Sequence, residues 1–92
     1  MATLESVLAE AQRIGLIGPG SLEDSIEHSN RFAAAVPVGV CRVVDIGAGG
    51  GLPGLVIGAC RPEVSLLLVD RRGRACDFLR RSVGSLGWSQ RV

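Results

Sequence analysis

Val43-Val44-Asp45-Ile46-Gly47-Ala48-Gly49-Gly50-Gly51-Leu52-Pro53-Gly54 is the stretch that decides the fold. Its first half is apolar, partly β-branched and stopped by glycine, which predicts a short strand from Cys41 to Ile46. Its second half opens a helix, predicted from Leu52 to Cys60, with Pro53 early, where a missing amide hydrogen does no harm. A strand, a glycine turn and a helix N-terminus together make an anion-accepting device, because the first helical amides have no internal partners. Gly54 and Gly58 lie four apart on one helix face, so this helix is expected to approach the sheet closely.

Downstream, Arg61-Pro62-Glu63 ends that helix. Val64 to Val69 is then a continuous apolar run, the pattern of a strand buried on both faces of a parallel sheet, and Asp70 closes it. Arg74 to Leu86 is amphipathic. Ala75, Phe78, Leu79, Ser82, Val83 and Leu86 share one face, and Arg74, Asp77, Arg80 and Arg81 the other. Gly87 is the expected stop, and Gln90-Arg91-Val92 reads as the first residues of a third strand. Upstream, Leu4, Val7, Leu8, Ala11 and Ile14 recur at helical spacing, with Thr3 as a cap. Gly15, Gly18, Pro19 and Gly20 break the chain. Ser21-Leu22-Glu23-Asp24 then starts a second helix that should run to about Val36. The expected organisation is one α/β domain over 1–92: a helical segment, 1–38, and a βαβα unit, 39–92, with a short parallel sheet.

Composition sets the limits. The 92 residues are 47% hydrophobic, which suits a globular chain and excludes disorder. Aromatics are Phe32, Phe78 and Trp88, so the core should be mainly aliphatic. Net charge is +1 but unevenly spread. Residues 1–40 carry two arginines against five acids, and residues 71–92 carry six arginines against Asp77 alone. A basic C-terminal third can face an anionic partner such as nucleic acid. Cys41, Cys60 and Cys76 form no C-x-x-C and lie among apolar neighbours. They read as small buried hydrophobes of a reducing, cytoplasmic setting, with no disulfide framework or metal site expected. No signal peptide and no apolar run long enough to span a bilayer is seen.

Two ligand classes use such a glycine loop. Gly49-Gly50-Gly51-Leu52-Pro53-Gly54 satisfies the dinucleotide fingerprint G-x-G-x-x-G, which is weak alone in a chain with 13 glycines. Asp45 points elsewhere. A carboxylate at the cradle would repel a pyrophosphate, whereas S-adenosylmethionine carries a sulfonium and an ammonium beside one carboxylate. The longer pattern D-x-G-x-G-x-G, from Asp45 to Gly51, therefore favours S-adenosylmethionine. Asp70, at the tip of the next strand, falls where a ribose would be held by its hydroxyls. A plainer role, capping the turns that follow, is open to both aspartates. A non-catalytic fragment that associates through uncovered sheet edges is a third reading.

The Asp45–Gly54 segment resembles the first motif of the bacterial small-subunit rRNA guanine-N7 methyltransferases, also called glucose-inhibited division protein B. Leu52-Pro53-Gly54 is more particular to that family than the glycines are. The resemblance continues through Arg61-Pro62-Glu63, Leu68-Val69-Asp70, Gly73-Arg74 and Phe78-Leu79-Arg80, covering roughly 41–88. Glu27-His28-Ser29 resembles a family segment only loosely, and a surface or capping role is the expectation for His28. The resemblance implies a partial class I methyltransferase (Rossmann-like) fold, S-adenosyl-L-methionine as cofactor and small-subunit rRNA as partner. It implies cofactor contacts from Asp45, Gly47, Gly49, Gly51, Leu52 and Asp70, with Pro53 and Gly54 shaping the loop. Arg71, Arg72, Arg74 and Arg81 become candidates for RNA phosphates. Guanine N7 carries no proton to remove, so no Ser/His/Asp or Cys/His constellation is required, and no catalytic residue is singled out. Members of that family are longer, so the chain is expected to be a fragment or to cover its sheet by association.

Overall fold

Two parallel strands carry the architecture of the computed structural model, which describes residues 1–92. Strand β1 is Arg42–Ile46 and β2 is Ser65–Val69, paired from Arg42 opposite Ser65 to Ile46 opposite Val69. Ahead of them come α1, Leu4–Arg13, and α2, Leu22–Ala35. Helix α3, Gly54–Cys60, connects the strands, and α4, Gly73–Leu86, follows β2. The order is that expected from the alternation of patterns, and it fits a partial methyltransferase fold.

The helix ends follow local chemistry. Thr3 and Ser6 form a reciprocal capping box on α1, and the Ser21 hydroxyl accepts from the Asp24 amide at the start of α2. Gly87 ends α4 at a φ of 76°, a left-handed turn that glycine adopts without strain. Helix α3 begins at Gly54 rather than Leu52, with Pro53 just outside it.

The core is aliphatic around one ring. Val7, Leu8 and Ala11 of α1 meet Leu55 and Val56 of α3 and Phe78, Leu79 and Leu86 of α4. Leu8 and Leu55 are fully buried. Truncating either to alanine should cost about 2–5 kcal/mol by lost transfer energy and the cavity left behind. Close approach of α3 to the sheet is confirmed. A Cβ on Gly54 would stand 2.5 Å from both Asp45 Oδ2 and Leu68 Cδ2, and one on Gly58 would stand 2.9 Å from the Trp88 ring.

Three expectations are corrected. Strand β2 is buried on one face only. Leu66 is covered by the helices, while Leu67 and Val69 lie exposed beside Val44 and Ile46, the last 82% accessible. A run of apolar residues specifies two buried faces only when elements exist to cover both, and all four helices here leave that face bare. The cysteines are likewise not buried: Cys41 and Cys60 are exposed and Cys76 is intermediate. Cys41 precedes β1, and Cys60 ends α3 facing the polar Asn30, to whose Oδ1 its thiol donates at 3.2 Å. Apolar neighbours in sequence do not fix burial where an element ends. The expected start of a third strand at Gln90-Arg91-Val92 is not formed: the sheet has two strands and these residues lie in a turn. The Arg91 carbonyl accepts from Leu66 N–H at 2.8 Å on the outer edge of β2, within a turn from Trp88 to Val92.

Candidate functional site

Both strands end at the same side of the sheet, and their tips are stitched together. The Val69 carbonyl accepts from Gly47 N–H at 2.7 Å and Ala48 N–H at 2.9 Å. This lays the glycine loop across the end of β2. Gly47 holds a φ of 80° with open space where a side chain would be, so the loop presents bare backbone there. Gly50 and Gly51 are packed from beneath. A Cβ on Gly50 would meet Ile17 Cγ1 at 2.5 Å, and one on Gly51 would overlap the Leu55 side chain. Of the glycines expected to touch a ligand, Gly47 is exposed while Gly49 and Gly51 are buried.

The two aspartates differ in what they hold. Asp45 lies on the helix-covered face of β1, and its Oδ2 accepts from Gly54 N–H at 3.0 Å. Burial pushes its carboxyl above the usual carboxylate range, only partly offset by that amide. Asp70 lies against the loop, with its side chain 5% exposed beneath Arg72. Its Oδ2 accepts from Gly49 N–H at 2.9 Å, and its Oδ1 accepts from the Arg72 amide at 2.9 Å and the Arg72 Nε at 3.1 Å. The Arg72 guanidinium, then its amide, hold Asp70 well below the usual range, at about 2. Both aspartates thus do cap the turns after their strands. Asp70 in addition joins the two tips.

This geometry disfavours a pyrophosphate at the head of α3. A pyrophosphate would need the first amides at the head of α3. There the Gly54 amide is taken by a carboxylate, and Gly54 itself is packed against Asp45 and Leu68. The tips offer one carboxylate acceptor, Asp70, and the exposed backbone of Gly47, which suit a ligand with hydroxyl and cationic groups. Arg72, with a side chain 54% exposed, lies over Gly49 and would swing outward to free Asp70. The residues present therefore fit a nucleoside cofactor with a ribose at Asp70.

The arginines are divided. Arg72 pairs with Asp70, and Arg74 donates to the Ile14 carbonyl at the end of α1. Arg71 and Arg81 are exposed and make no salt bridge. One positioning residue escaped the sequence reading. Arg61 reaches under α2, donating from Nη1 to the Val36 carbonyl at 2.6 Å and the Ala33 carbonyl at 3.2 Å, while its Nε donates to Glu63 at 2.7 Å. It supplies the partners that the last carbonyls of α2 lack. Its only signal in the sequence was its place between a helix end and a proline. No group of three or more His, Cys, Asp or Glu side chains is arranged to hold a metal ion, and no helix is long and apolar enough to cross a membrane.

A glycine loop at the tip of β1, held by a carboxylate at the tip of β2, is the frame of an α/β unit of partial methyltransferase fold. Sequence comparison gives the family: the chain matches rRNA small subunit methyltransferase G over residues 4–91 and belongs to that family. It is 40% identical to the ribosomal RNA small subunit methyltransferase G of Acidothermus cellulolyticus, over 79% of this chain and 34% of that protein. The protein of the same name from Rhizorhabdus wittichii is 37% identical, over 100% of this chain and 46% of that protein. That of Frankia alni is 35% identical, over 85% and 31%. The chain thus spans 31% to 46% of the length of these relatives. No solved structure gives a significant match.

Proposed function

We propose that this chain is the S-adenosyl-L-methionine-binding part of a methyltransferase that modifies guanine N7 in small-subunit rRNA. The observation that carries the reading is the contact of Asp70 with Gly49 N–H at 2.9 Å, which joins the ribose-type carboxylate of β2 to the glycine loop of β1. In this reading Asp70 accepts from the ribose hydroxyls after Arg72 turns away. Gly47 offers backbone to the amino-acid end, and Leu52 packs against the ligand. Asp45 acts one layer below, fixing the head of α3 and so the curve of the loop. S-adenosylmethionine, when bound, supplies the methyl group on its sulfonium. Guanine N7 has a free lone pair and no proton, so the residues need only orient the acceptor and exclude water, worth several kcal/mol of barrier. Arg71 and Arg81 are free for phosphates, which position RNA without reading its sequence.

Calorimetry with S-adenosylmethionine and its demethylated product tests the cofactor part, with saturable binding expected. An absence of heat from a folded chain at millimolar ligand contradicts it. The acceptor is tested by transfer of a labelled methyl group to small-subunit rRNA, with label expected on guanine. Label on another base rejects the guanine assignment.

A further inference from the structure

On the far side of the glycine loop lies a cleft of about 430 Å³ between α2 and the Leu52-Pro53 turn. Its size falls within the ~300–1,000 Å³ usual for small-molecule sites. We propose that this cleft seats the acceptor base, a guanine stacked on Phe32; the proposal rests on the methyltransferase reading above.

Phe32 is 49% exposed on a helix whose buried positions are filled by Ser29 and Ala33. The His28 ring stands edge-on to it, with centroids 5.4 Å apart and planes at 76°. An aromatic surface held open in this way is what unstacked RNA bases use as a platform. Leu52 and Pro53 form part of the same cleft. They are also the residues that close the glycine loop, so cleft and cofactor seat share a wall.

Direction supports the placement. A cofactor with its ribose at Asp70 starts at the tip of β2 and runs across the loop towards β1. Helix α4 packs beside β2, where the Cys76 thiol donates to the Asp70 carbonyl at 3.0 Å. Helix α2 instead leads into β1 and is fixed to the end of α3 by Arg61. The sulfonium is bonded to the ribose 5′-carbon, between ribose and amino-acid end, so a methyl group held over the loop would face the wall that Leu52 and Pro53 share with the cleft.

Asp24, also on the cleft, makes the choice of base. Guanine offers N1–H and an amino group side by side, and one carboxylate accepts from both. Adenine presents an acceptor at N1, which a carboxylate repels. With that edge turned to Asp24, guanine N7 lies on the far side of the base, free to face the loop. The Asp24 carboxylate also argues against a phosphate as the occupant.

His28 is the chain's one histidine, so its ring resonance is read without overlap from another imidazole. Guanosine monophosphate is titrated into the labelled chain with and without S-adenosylhomocysteine, and adenosine monophosphate serves as the control. Movement of the His28 and Phe32 ring signals with the guanine nucleotide is expected. Phe32→Ala should weaken that response roughly tenfold, the scale of one lost stacking contact. Phe32→Trp should restore it, and Asp24→Asn should erase the preference over adenine. The Gly47 and Gly49 responses to S-adenosylhomocysteine should persist in every variant. Guanine nucleotide that leaves His28 and Phe32 unmoved, or moves only Gly47 and Gly49, overturns the proposal. S-adenosylhomocysteine that fails to move Gly47 and Gly49 overturns the cofactor reading instead, and the guanine titration alone then judges the cleft.

Discussion

The tips of β1 and β2 end in the same residue type and do opposite things with it. At β1, Asp45 turns inward to the head of α3, and burial disfavours its charge. At β2, Asp70 holds the loop amide and an arginine that both favour its charge. One carboxylate is structural support for the loop. The other ties the loop to β2 and, in the proposed reading, holds the ligand's ribose. A strand-end aspartate is therefore not informative by type alone; its meaning depends on which face of the strand it occupies and which donors meet it.

The largest effect should come from filling the space that Asp45 uses. Gly54→Ala places a methyl 2.5 Å from Asp45 Oδ2 and Leu68 Cδ2. It should lower stability by about 1–3 kcal/mol, read from the urea midpoint. Gly47→Ala meets no atom and suffers only from its φ of 80°, so its loss should be smaller, about 1 kcal/mol. Equal losses would mean that close packing of α3 is not what β1's tip requires.

Next comes Asp45 itself. Asp45→Ala leaves the Gly54 amide without its acceptor and should destabilise by about 1 kcal/mol, as for a lost helix cap. Asp45→Asn keeps an acceptor and removes the disfavoured charge, so thermal melts at neutral pH should show little or no loss. A large loss in Asn would show that the charge matters and would undo the contrast with Asp70.

The smallest and most discriminating effect is the slope of stability with pH. Asp70 has a folded pKa lowered from 3.8 to about 2, so the folded chain holds that proton less tightly than the unfolded one. Its stabilising contribution is full above pH 3.8 and is lost as pH falls through about 2. Asp45 has a raised pKa, so its sign is reversed: above 3.8, stability decreases as pH rises through its folded pKa. Urea unfolding across this range should show the acid-side loss flattened in Asp70→Asn and the higher-pH decline flattened in Asp45→Asn. Two variants with the same slope would contradict the assignment.

Much of this was legible in the sequence. β-branching placed β1, the Thr3 and Ser21 caps placed two helix starts, and Gly87 placed a helix stop. The Gly54–Gly58 spacing announced the close contact of α3 with the sheet. Less visible were partners chosen across the fold. Nothing local says that Asp45 caps Gly54, that Arg72 folds back over Asp70, or that Arg61 closes α2. The bare face of Val44, Ile46, Leu67 and Val69 was misread for a related reason, since a strand's sequence records both faces while the covering elements must come from elsewhere.

The most direct test of the contrast is calorimetric titration of S-adenosylhomocysteine into the wild-type chain, Asp70→Asn and Asp45→Asn under one condition. The account predicts at least a roughly tenfold loss of affinity in Asp70→Asn, the scale of hydrogen bonds to a lost charge, and near wild-type affinity in Asp45→Asn. Equal affinity for Asp70→Asn and wild type, or a greater loss in Asp45→Asn, would contradict it.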